Sequence, residues 1–229
     1  MKNNYTKSDI ETILKENDFE YHRVDLPYGL HTPGEDRGAT RDIIFPEELD
    51  GASVLDVGSA NGYFCFEAEK KGAGRVVGVE LKESRYRHAN ILKSILSSQA
   101  EFLNVDILSQ PLEETFDYVL LLNVIHHLPD PVHVLRYLAS ITKRKFIVEF
   151  PTFSDPKYRK FSGISFPFIY NRLPLIGVSS TADDKIDQTF VFSAGALKNI
   201  LMNHQVLFSD MKLLNSPMGV GRRIAIFEK

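Results

Sequence analysis

Cysteine, long apolar runs and an excess of one charge are all missing from this sequence. Its only cysteine is Cys65, so no disulfide can form within the chain, which suits a reducing compartment. The longest apolar run, Tyr118–Leu122, is far shorter than a membrane span, and the first residues lack the apolar segment of a signal peptide. Lysine and arginine number 27 against 30 acidic residues, which disfavours indiscriminate nucleic-acid binding. We therefore expect a cytoplasmic protein without membrane association.

Short apolar runs alternate with helical patterns along most of the chain. With 229 residues, 43% of them hydrophobic, the chain can build one large core. Helical stretches between successive strands imply parallel pairing through right-handed crossovers. We therefore predict a doubly wound α/β fold, a seven-stranded Rossmann-like sheet. Five of its strands are predicted at residues 53–57, 76–79, 102–105, 116–122 and 145–150, and two more follow a helix at 193–203.

Three other helices can be placed from their start signals and periodicity. Residues 61–71 follow the first strand with a helical pattern. Ser84 is expected to cap the next helix, since serine side chains accept hydrogen bonds from free amides at helix starts. The sequence Pro129-Asp-Pro131 predicts the start of a third helix.

The chain divides into an N-terminal extension, residues 1–50, and a main domain, residues 51–229. The extension holds a predicted helix, Ser8–Glu16, and a turn-rich loop on the substrate side. In that loop, Tyr28, His31 and Arg37 either cover the substrate or pack on the surface. Residues 151–190 are predicted to be a lid or insertion, and their aromatic and arginine side chains serve either a substrate or a dimer contact. These are Arg159, Phe161, Phe166, Phe168, Tyr170 and Arg172.

The turn after the first predicted strand has the features of a cofactor site. Ligands of open α/β sheets bind beyond the carboxyl ends of the strands, and glycines such as Gly58 and Gly62 allow a close approach. A dinucleotide site would have glycines where Ala60 and Tyr63 stand, which argues against a nicotinamide oxidoreductase and for a cofactor without phosphates. Glu80 ends the second strand 22 residues after Gly58, where a carboxylate can accept hydrogen bonds from ribose hydroxyls.

Four segments resemble class I S-adenosylmethionine (SAM)-dependent methyltransferases: Val54–Gly62, Val77–Glu80, Asn104–Asp106 and Phe116–His126. The resemblance covers roughly residues 50–229, and Ala60 departs from it where many relatives have glycine. It implies that Gly58 and Gly62 line the methionine part of SAM, that Glu80 holds the ribose and that Asp106 reaches the adenine amino group. It also implies that Asn123 borders the sulfonium. The other predicted cofactor-binding residues are Asp56, Ser59 and Ala60.

A second, looser resemblance is to the tRNA wobble-uridine carboxymethyl- and methoxyuridine-forming transferases. It is carried by Thr32-Pro-Gly34, by the turn from Asp56 to Phe64 and by Phe192-Ser193. Four basic clusters could contact a phosphate backbone or could be solvated faces. They are Arg85–His88, Lys143–Lys145, Lys157–Lys160 and Arg222–Arg223.

His126 and His127 follow the fourth predicted strand and are the predicted catalytic residues. Methyl transfer needs positioning and exclusion of water, and a hydroxyl acceptor would add a need for a base, a role that suits histidine. The alternative is a structural role at a helix entry. Together with Asp130 and His133 they follow no standard zinc spacing, so we predict no metal.

The sequence therefore predicts a SAM-dependent methyltransferase acting on a small molecule, a hydroxylated metabolite or sugar. One alternative is a tRNA methyltransferase of the wobble-uridine type. The other is a non-catalytic SAM-binding or interaction protein, since a fold does not establish a function.

Overall fold

The computed structural model describes residues 5–156, 167–178, 190–202 and 207–229, and the account below concerns these residues. The chain forms two compact units, Met1–Leu112 and Glu113–Lys229. The predicted domain boundary at residue 50 stays a prediction.

The first unit contains three parallel strands in the order β3-β2-β1: β1 is Ser53–Val57, β2 is Arg75–Val79 and β3 is Glu101–Leu103. In their register, Val57 lies beside Val79, and Val79 lies beside Leu103. The three carboxyl ends are therefore level, and the residues after each strand share one edge of the sheet.

The N-terminal helices of the first unit are α1, Lys7–Glu16, and α2, Gly38–Ile44. A capping box starts α1, because Thr6 Oγ1 accepts a hydrogen bond from the Asp9 amide and Asp9 accepts one from the Thr6 amide. The prediction of α1 is confirmed. The sequence predicted a loop before residue 38 and missed α2, although a 3₁₀ turn at Pro27–Gly29 does lie in that loop. The later helices of the unit are α3, Tyr63–Lys70, and α4, Glu83–Leu96.

The second unit begins with β4, Phe116–Leu122, and β5, Thr142–Pro151, which pair in parallel. Helix α5, Pro131–Ser140, connects them, and Asp130 caps it by accepting a hydrogen bond from the His133 amide, 3.1 Å away. The predicted start of this helix is confirmed.

The rest of the second unit holds two helices and four strands. In chain order they are α6 (Pro167–Arg172), β6 (Ile176–Val178), β7 (Phe190–Phe192), α7 (Ala194–Met202), β8 (Asp210–Asn215) and β9 (Arg222–Glu228). Antiparallel pairing adds β9 to β5 and β8 to β9, giving the order β4-β5-β9-β8. A separate antiparallel pair joins β6, in the predicted lid region, to β7, which begins at the last residue of that region.

The seven predicted strands are present, and the α/β fold class is confirmed. The prediction that Ser84 caps a helix is wrong: the cap position is Lys82, two residues earlier, and α4 begins at Glu83. The Lys82 amide is instead bound by the Glu80 carboxylate, 2.8 Å away, which starts the helix without a serine cap. Of the predicted lid, Arg159, Phe161, Phe166 and the side chain of Phe168 lie outside the described residues, as does the basic cluster Lys157–Lys160.

Within the described part of the chain, no helix combines the length and apolar character needed to span a membrane.

Candidate functional site

The turn between β1 and α3 has a left-handed backbone at three positions. The φ angles are +77° at Gly58, +50° at Ala60 and +87° at Gly62. The amides of Gly58 and Ser59 both donate to the carbonyl of Val79, at 2.8 and 3.0 Å. Glycine suits such angles, whereas alanine adopts them at a cost of about 1–2 kcal/mol. The turn is therefore a strained loop tied to the end of β2.

Gly62 is required by packing as well as by its backbone angle. A Cβ atom at this position would lie 2.6 Å from the ring of Phe102, well inside van der Waals contact. Phe102 stands in the middle of β3, and its ring also contacts that of Phe66 edge-on, with centroids 5.7 Å apart. We expected a ligand to approach closely beside Gly62, but the Phe102 ring partly fills that space.

Glu80 joins this turn to the start of α4. Its side chain is buried, and its two oxygens accept hydrogen bonds from the amides of Ala60 (2.9 Å) and Lys82 (2.8 Å). Its carbonyl accepts a hydrogen bond from the side-chain amide of Asn104, at 2.8 Å. The structure therefore brings Ala60 and Glu80 together, as predicted for two parts of one site, and adds Asn104.

Asp56 is buried at the end of β1 and lies beside Cys65. The Cys65 thiol donates to Asp56 Oδ2 across 3.9 Å. Burial, and then the negative charge of Glu80, raise the pKa of Asp56 to about 7, while burial raises the pKa of Cys65 well above its usual value. Both groups therefore tend to keep their protons, and direct contact between Asp56 and a cofactor stays a prediction.

Two buried polar atoms in the turn have no hydrogen-bond partner among the described residues. They are Ser59 Oγ and Asn61 Oδ1, and each residue is 1% exposed. Buried polar atoms in folded proteins are nearly always paired, so such a pair indicates groups that a ligand can satisfy. Ser59 was predicted as a site residue, and Asn61 was not.

Asp106 follows β3 and closes a turn of its own chain. Its Oδ1 accepts a hydrogen bond from the amide of Leu108, 2.9 Å away, and its carbonyl accepts those of Ser109 and Gln110. The side chain is partly exposed. Its predicted contact with adenine is compatible with this position and stays a prediction.

In the second unit, Asn123 belongs to a buried polar network. Its backbone is left-handed, with φ at +60°, and its side-chain amide donates to Glu149 Oε2 at 2.7 Å. Arg222 donates to Asn123 Oδ1, and Ser216 donates to Glu149 Oε1. Arg222 also pairs with Asp155, with Nε and Oδ2 3.4 Å apart. Both polar ends of the Asn123 side chain are thus held by protein, which fixes its orientation.

The sequence missed this network, because its members come from distant parts of the chain. One signal was present: Glu149 interrupts the apolar run of β5 and is completely buried. A buried carboxylate requires partners, so a polar cluster at the end of β5 could have been predicted, though not its members.

His126 and His127 form a 3₁₀ turn with Ile125, directly after β4. His126 is buried and His127 is exposed, and their ring centroids lie 4.1 Å apart. Neighbouring Asp130 is occupied as the cap of α5. In the described ranges, no three His, Cys, Asp or Glu side chains form a group that could hold a metal ion. The structure places both histidines where the sequence did, and their catalytic role stays a prediction.

A parallel β1-β2-β3 sheet with a glycine turn after β1 and a carboxylate ending β2 is an arrangement typical of cofactor sites in open α/β sheets. Comparison with known proteins agrees: residues 48–157 match the family model described as a methyltransferase domain. The predicted resemblance to class I SAM-dependent methyltransferases is thereby confirmed.

Curated relatives include two enzymes named ubiquinone biosynthesis O-methyltransferase. That of Neisseria meningitidis serogroup C (strain 053442) is 29% identical over 114 residues, 48% of each chain. That of Pseudomonas fluorescens (strain SBW25) is 31% identical over 129 residues, 55% of each chain. The aligned region thus spans about half the length of the curated relatives.

Solved structures share the fold at low sequence identity. The N-terminal domain of EvdMO1 with S-adenosylhomocysteine (SAH) bound is 13% identical, with a TM-score of 0.68 over 98% of this chain and 97% of that one. The magnesium protoporphyrin IX methyltransferase of Synechocystis PCC 6803 with bound SAM is 19% identical, with a TM-score of 0.55 over 79% of this chain and 71% of that one. This chain therefore shares its fold with both structures.

Proposed function

We propose that this protein binds SAM and transfers its methyl group to a small-molecule acceptor. The observation that carries the proposal is the left-handed turn from Gly58 to Gly62, bound through Ala60 to the buried carboxylate of Glu80. The methyltransferase-domain match over residues 48–157 supports it.

The residues of the first unit fit this cofactor. Ser59 Oγ and Asn61 Oδ1 are buried polar atoms that a ligand can satisfy, and both belong to the left-handed turn after β1. Glu80 would hold the ribose hydroxyls by sharing oxygens that now accept two backbone amides. Asp106 would bind the adenine amino group, and Asn123 would border the sulfonium. Bound SAM supplies an activated methyl group with a good leaving group, so the protein's task is to orient the acceptor and exclude water.

The acceptor class is proposed from the relatives. Those in Neisseria and Pseudomonas are named for O-methylation in ubiquinone biosynthesis, and one EvdMO1 structure was obtained in the presence of SAH and D-fucose. These names favour a hydroxylated small molecule. For such an acceptor, one histidine of the pair His126 and His127 would take the hydroxyl proton.

The proposal is tested by calorimetric titration of SAM into the wild type and the Glu80→Gln variant. We expect the wild type to bind and the variant to bind at least about tenfold more weakly, because the amide loses the charged acceptor for the ribose, worth about 1.5–3 kcal/mol. The matched control is Glu101→Gln, which removes an exposed carboxylate paired with Arg75. Its affinity for SAM should equal that of the wild type.

A wild type that binds no SAM while correctly folded would refute the proposal. A second arm of the experiment measures turnover for His126→Ala and His127→Ala at saturating SAM. Loss of turnover in one variant, with unchanged SAM affinity, would identify the base, whereas full turnover in both would show that orientation alone suffices.

A further inference from the structure

The segment between α1 and α2, residues 19–37, folds back on itself and is termed the strap. Backbone hydrogen bonds close it, among them those from the Thr32 amide to the Val24 carbonyl and from the Glu35 amide to the Tyr21 carbonyl, both 3.0 Å. Alternate residues of its first half, His22, Val24 and Leu26, are buried. The strap is thus an ordered element with one inward face, although the sequence predicted an irregular loop.

The inward face of the strap is bonded directly to the turn after β1. The carbonyl of His22 accepts two hydrogen bonds, one from Asn61 Nδ2 at 2.7 Å and one from Thr32 Oγ1 at 2.9 Å. Thr32 Oγ1 in turn accepts the amide of Val24 at 2.8 Å. Thr32 is completely buried, so its hydroxyl fixes the His22 carbonyl, which then fixes the Asn61 side chain.

Aromatic and cationic groups strengthen the same contact. The His22 ring lies edge-on to the rings of Tyr63 and Phe64 at the start of α3, at 5.9 and 5.8 Å between centroids. Arg37, at the end of the strap, is buried with its guanidinium 5.2 Å from the Phe64 ring centroid. Its Nη1 lies 3.5 Å from His22 Nε2.

The protonation state of His22 follows from this environment. Burial, and then the charges of Arg37 and Arg85, lower the pKa of His22 to about 3, so the imidazole is neutral. Facing the arginine, Nε2 acts as acceptor and the hydrogen resides on Nδ1. That Nδ1 is buried with no hydrogen-bond partner among the described residues, as are Asn61 Oδ1 and Ser59 Oγ.

We propose that the strap positions the turn that the resemblance assigns to the methionine part of SAM: Thr32 and the His22 carbonyl hold Asn61 in place, so that the unsatisfied groups of Asn61, Ser59 and His22 can recognise the amino-acid end of the cofactor. A zwitterion needs both acceptors and donors, and these three residues supply an amide oxygen, a hydroxyl and a ring N–H. The inference rests on the proposed function, because it assigns positioning residues to the cofactor site proposed there. In this arrangement Thr32 is a positioning residue, acting through His22 and Asn61.

The test compares SAM with 5′-methylthioadenosine, which keeps the adenosine and lacks the amino-acid end. Calorimetric titrations of both ligands are run on the wild type, Thr32→Val, Thr32→Ser and Asn61→Asp. Thr32→Val is nearly isosteric and loses the hydroxyl, Thr32→Ser keeps it, and Asn61→Asp loses the donor to His22. The matched control is Asn90→Asp, since Asn90 Nδ2 also donates to a carbonyl, that of Tyr86, but within α4. Urea unfolding of each variant accompanies the titrations.

We expect Thr32→Val and Asn61→Asp to weaken SAM binding about tenfold or more, the equivalent of one lost hydrogen bond at about 1.4 kcal/mol. Affinity for 5′-methylthioadenosine should change less than about twofold, Thr32→Ser should recover SAM binding, and Asn90→Asp should match the wild type. Equal losses for both ligands would mean that the strap only stabilises the fold, and unchanged SAM binding in folded variants would also overturn the inference. A wild type that binds neither ligand would instead refute the proposed function itself.

Discussion

At the scale of single residues, the buried carboxyl of Asp56 links the candidate site to stability. Its pKa is raised from 3.8 to about 7, chiefly by burial and secondly by the charge of Glu80. The folded protein therefore keeps a proton that the unfolded chain releases near pH 4. Between about pH 4 and 7 the folded state binds more protons, so this group makes the free energy of unfolding fall as pH rises, by about 1.4 kcal/mol per pH unit.

Replacement of Asp56 by asparagine should remove this pH dependence. Relative to Asp56→Asn, the wild type should lose about 2 kcal/mol of unfolding free energy between pH 5 and pH 7. The reason is that only the wild type has a buried carboxyl that binds a proton in the folded state and releases it in the unfolded state. Urea unfolding at several pH values measures this difference. Glu101→Gln, at an exposed carboxyl, serves as the control and should leave the wild-type profile in place. Parallel profiles for wild type and Asp56→Asn would show that Asp56 ionises normally.

At the scale of secondary-structure elements, the Phe102 ring links β2, β3 and the turn after β1. A Cβ at Gly78, the last residue but one of β2, would lie 2.7 Å from the Phe102 ring and 2.8 Å from Ser59 Oγ. Gly62 meets the same ring from the turn. The Phe102 ring therefore leaves room only for glycine at both positions, and it packs against the turn.

Gly78→Ala should destabilise the protein by about 1–3 kcal/mol, the usual cost of overpacking a rigid interior. Because the added Cβ would meet the Phe102 ring, Phe102→Leu in the same chain should make Gly78→Ala less destabilising than it is in the wild type. Urea unfolding of the two single variants and the double variant gives this coupling energy. Gly38→Ala is the control, since its nearest neighbour is the flexible side chain of Asp36. Additive effects of the two substitutions would show that the ring is not the obstacle.

The elements that the sequence predicted correctly are those whose signals are local. Apolar runs gave β1 and β4 with the bounds that the structure has, and the Pro129–Pro131 signal gave the start of α5. The Ser84 cap was wrong because the helix starts with Lys82 at the cap position, where the Glu80 carboxylate, two residues earlier, accepts the Lys82 amide. Helix α2 and the β6-β7 pair were missed, since a short helix and two three-residue strands carry little periodicity.

The same distinction applies to the candidate site. Gly58, Gly62 and Glu80 could be predicted because their spacing along the chain reflects one strand-turn-helix unit. His22, Thr32 and Asn61 could not, because their association depends on a contact across 39 residues. The partners of the Asn123 side chain, Glu149 and Arg222, likewise come from β5 and β9. Contacts of this kind depend on how distant segments pack together, and the spacing of residues along the chain does not predict that packing.

At the scale of the whole molecule, the charges bear on the choice between a small-molecule acceptor and RNA. The chain has a net charge of −3, and several members of the predicted basic clusters are engaged within the protein. Arg85 lies over the Tyr21 ring, Arg222 pairs with Asp155, and Lys145 pairs with Glu228. Phosphate binding would have to compete with these contacts, which favours the small-molecule acceptor.

Two fractions of a cell extract separate the acceptor classes: an ultrafiltrate free of macromolecules, and total RNA. We expect SAH to accumulate when the protein and SAM are incubated with the ultrafiltrate, at a rate that changes little between about 50 and 200 mM salt. An acceptor held through several phosphate contacts would lose affinity by orders of magnitude over that range. Glu80→Gln is the control for cofactor-dependent turnover. Accumulation of SAH with RNA alone, falling steeply with salt, would assign the protein to the RNA-modifying class. SAM binding without SAH from either fraction would favour the non-catalytic alternative, because the donor site would then be intact while no acceptor reacts.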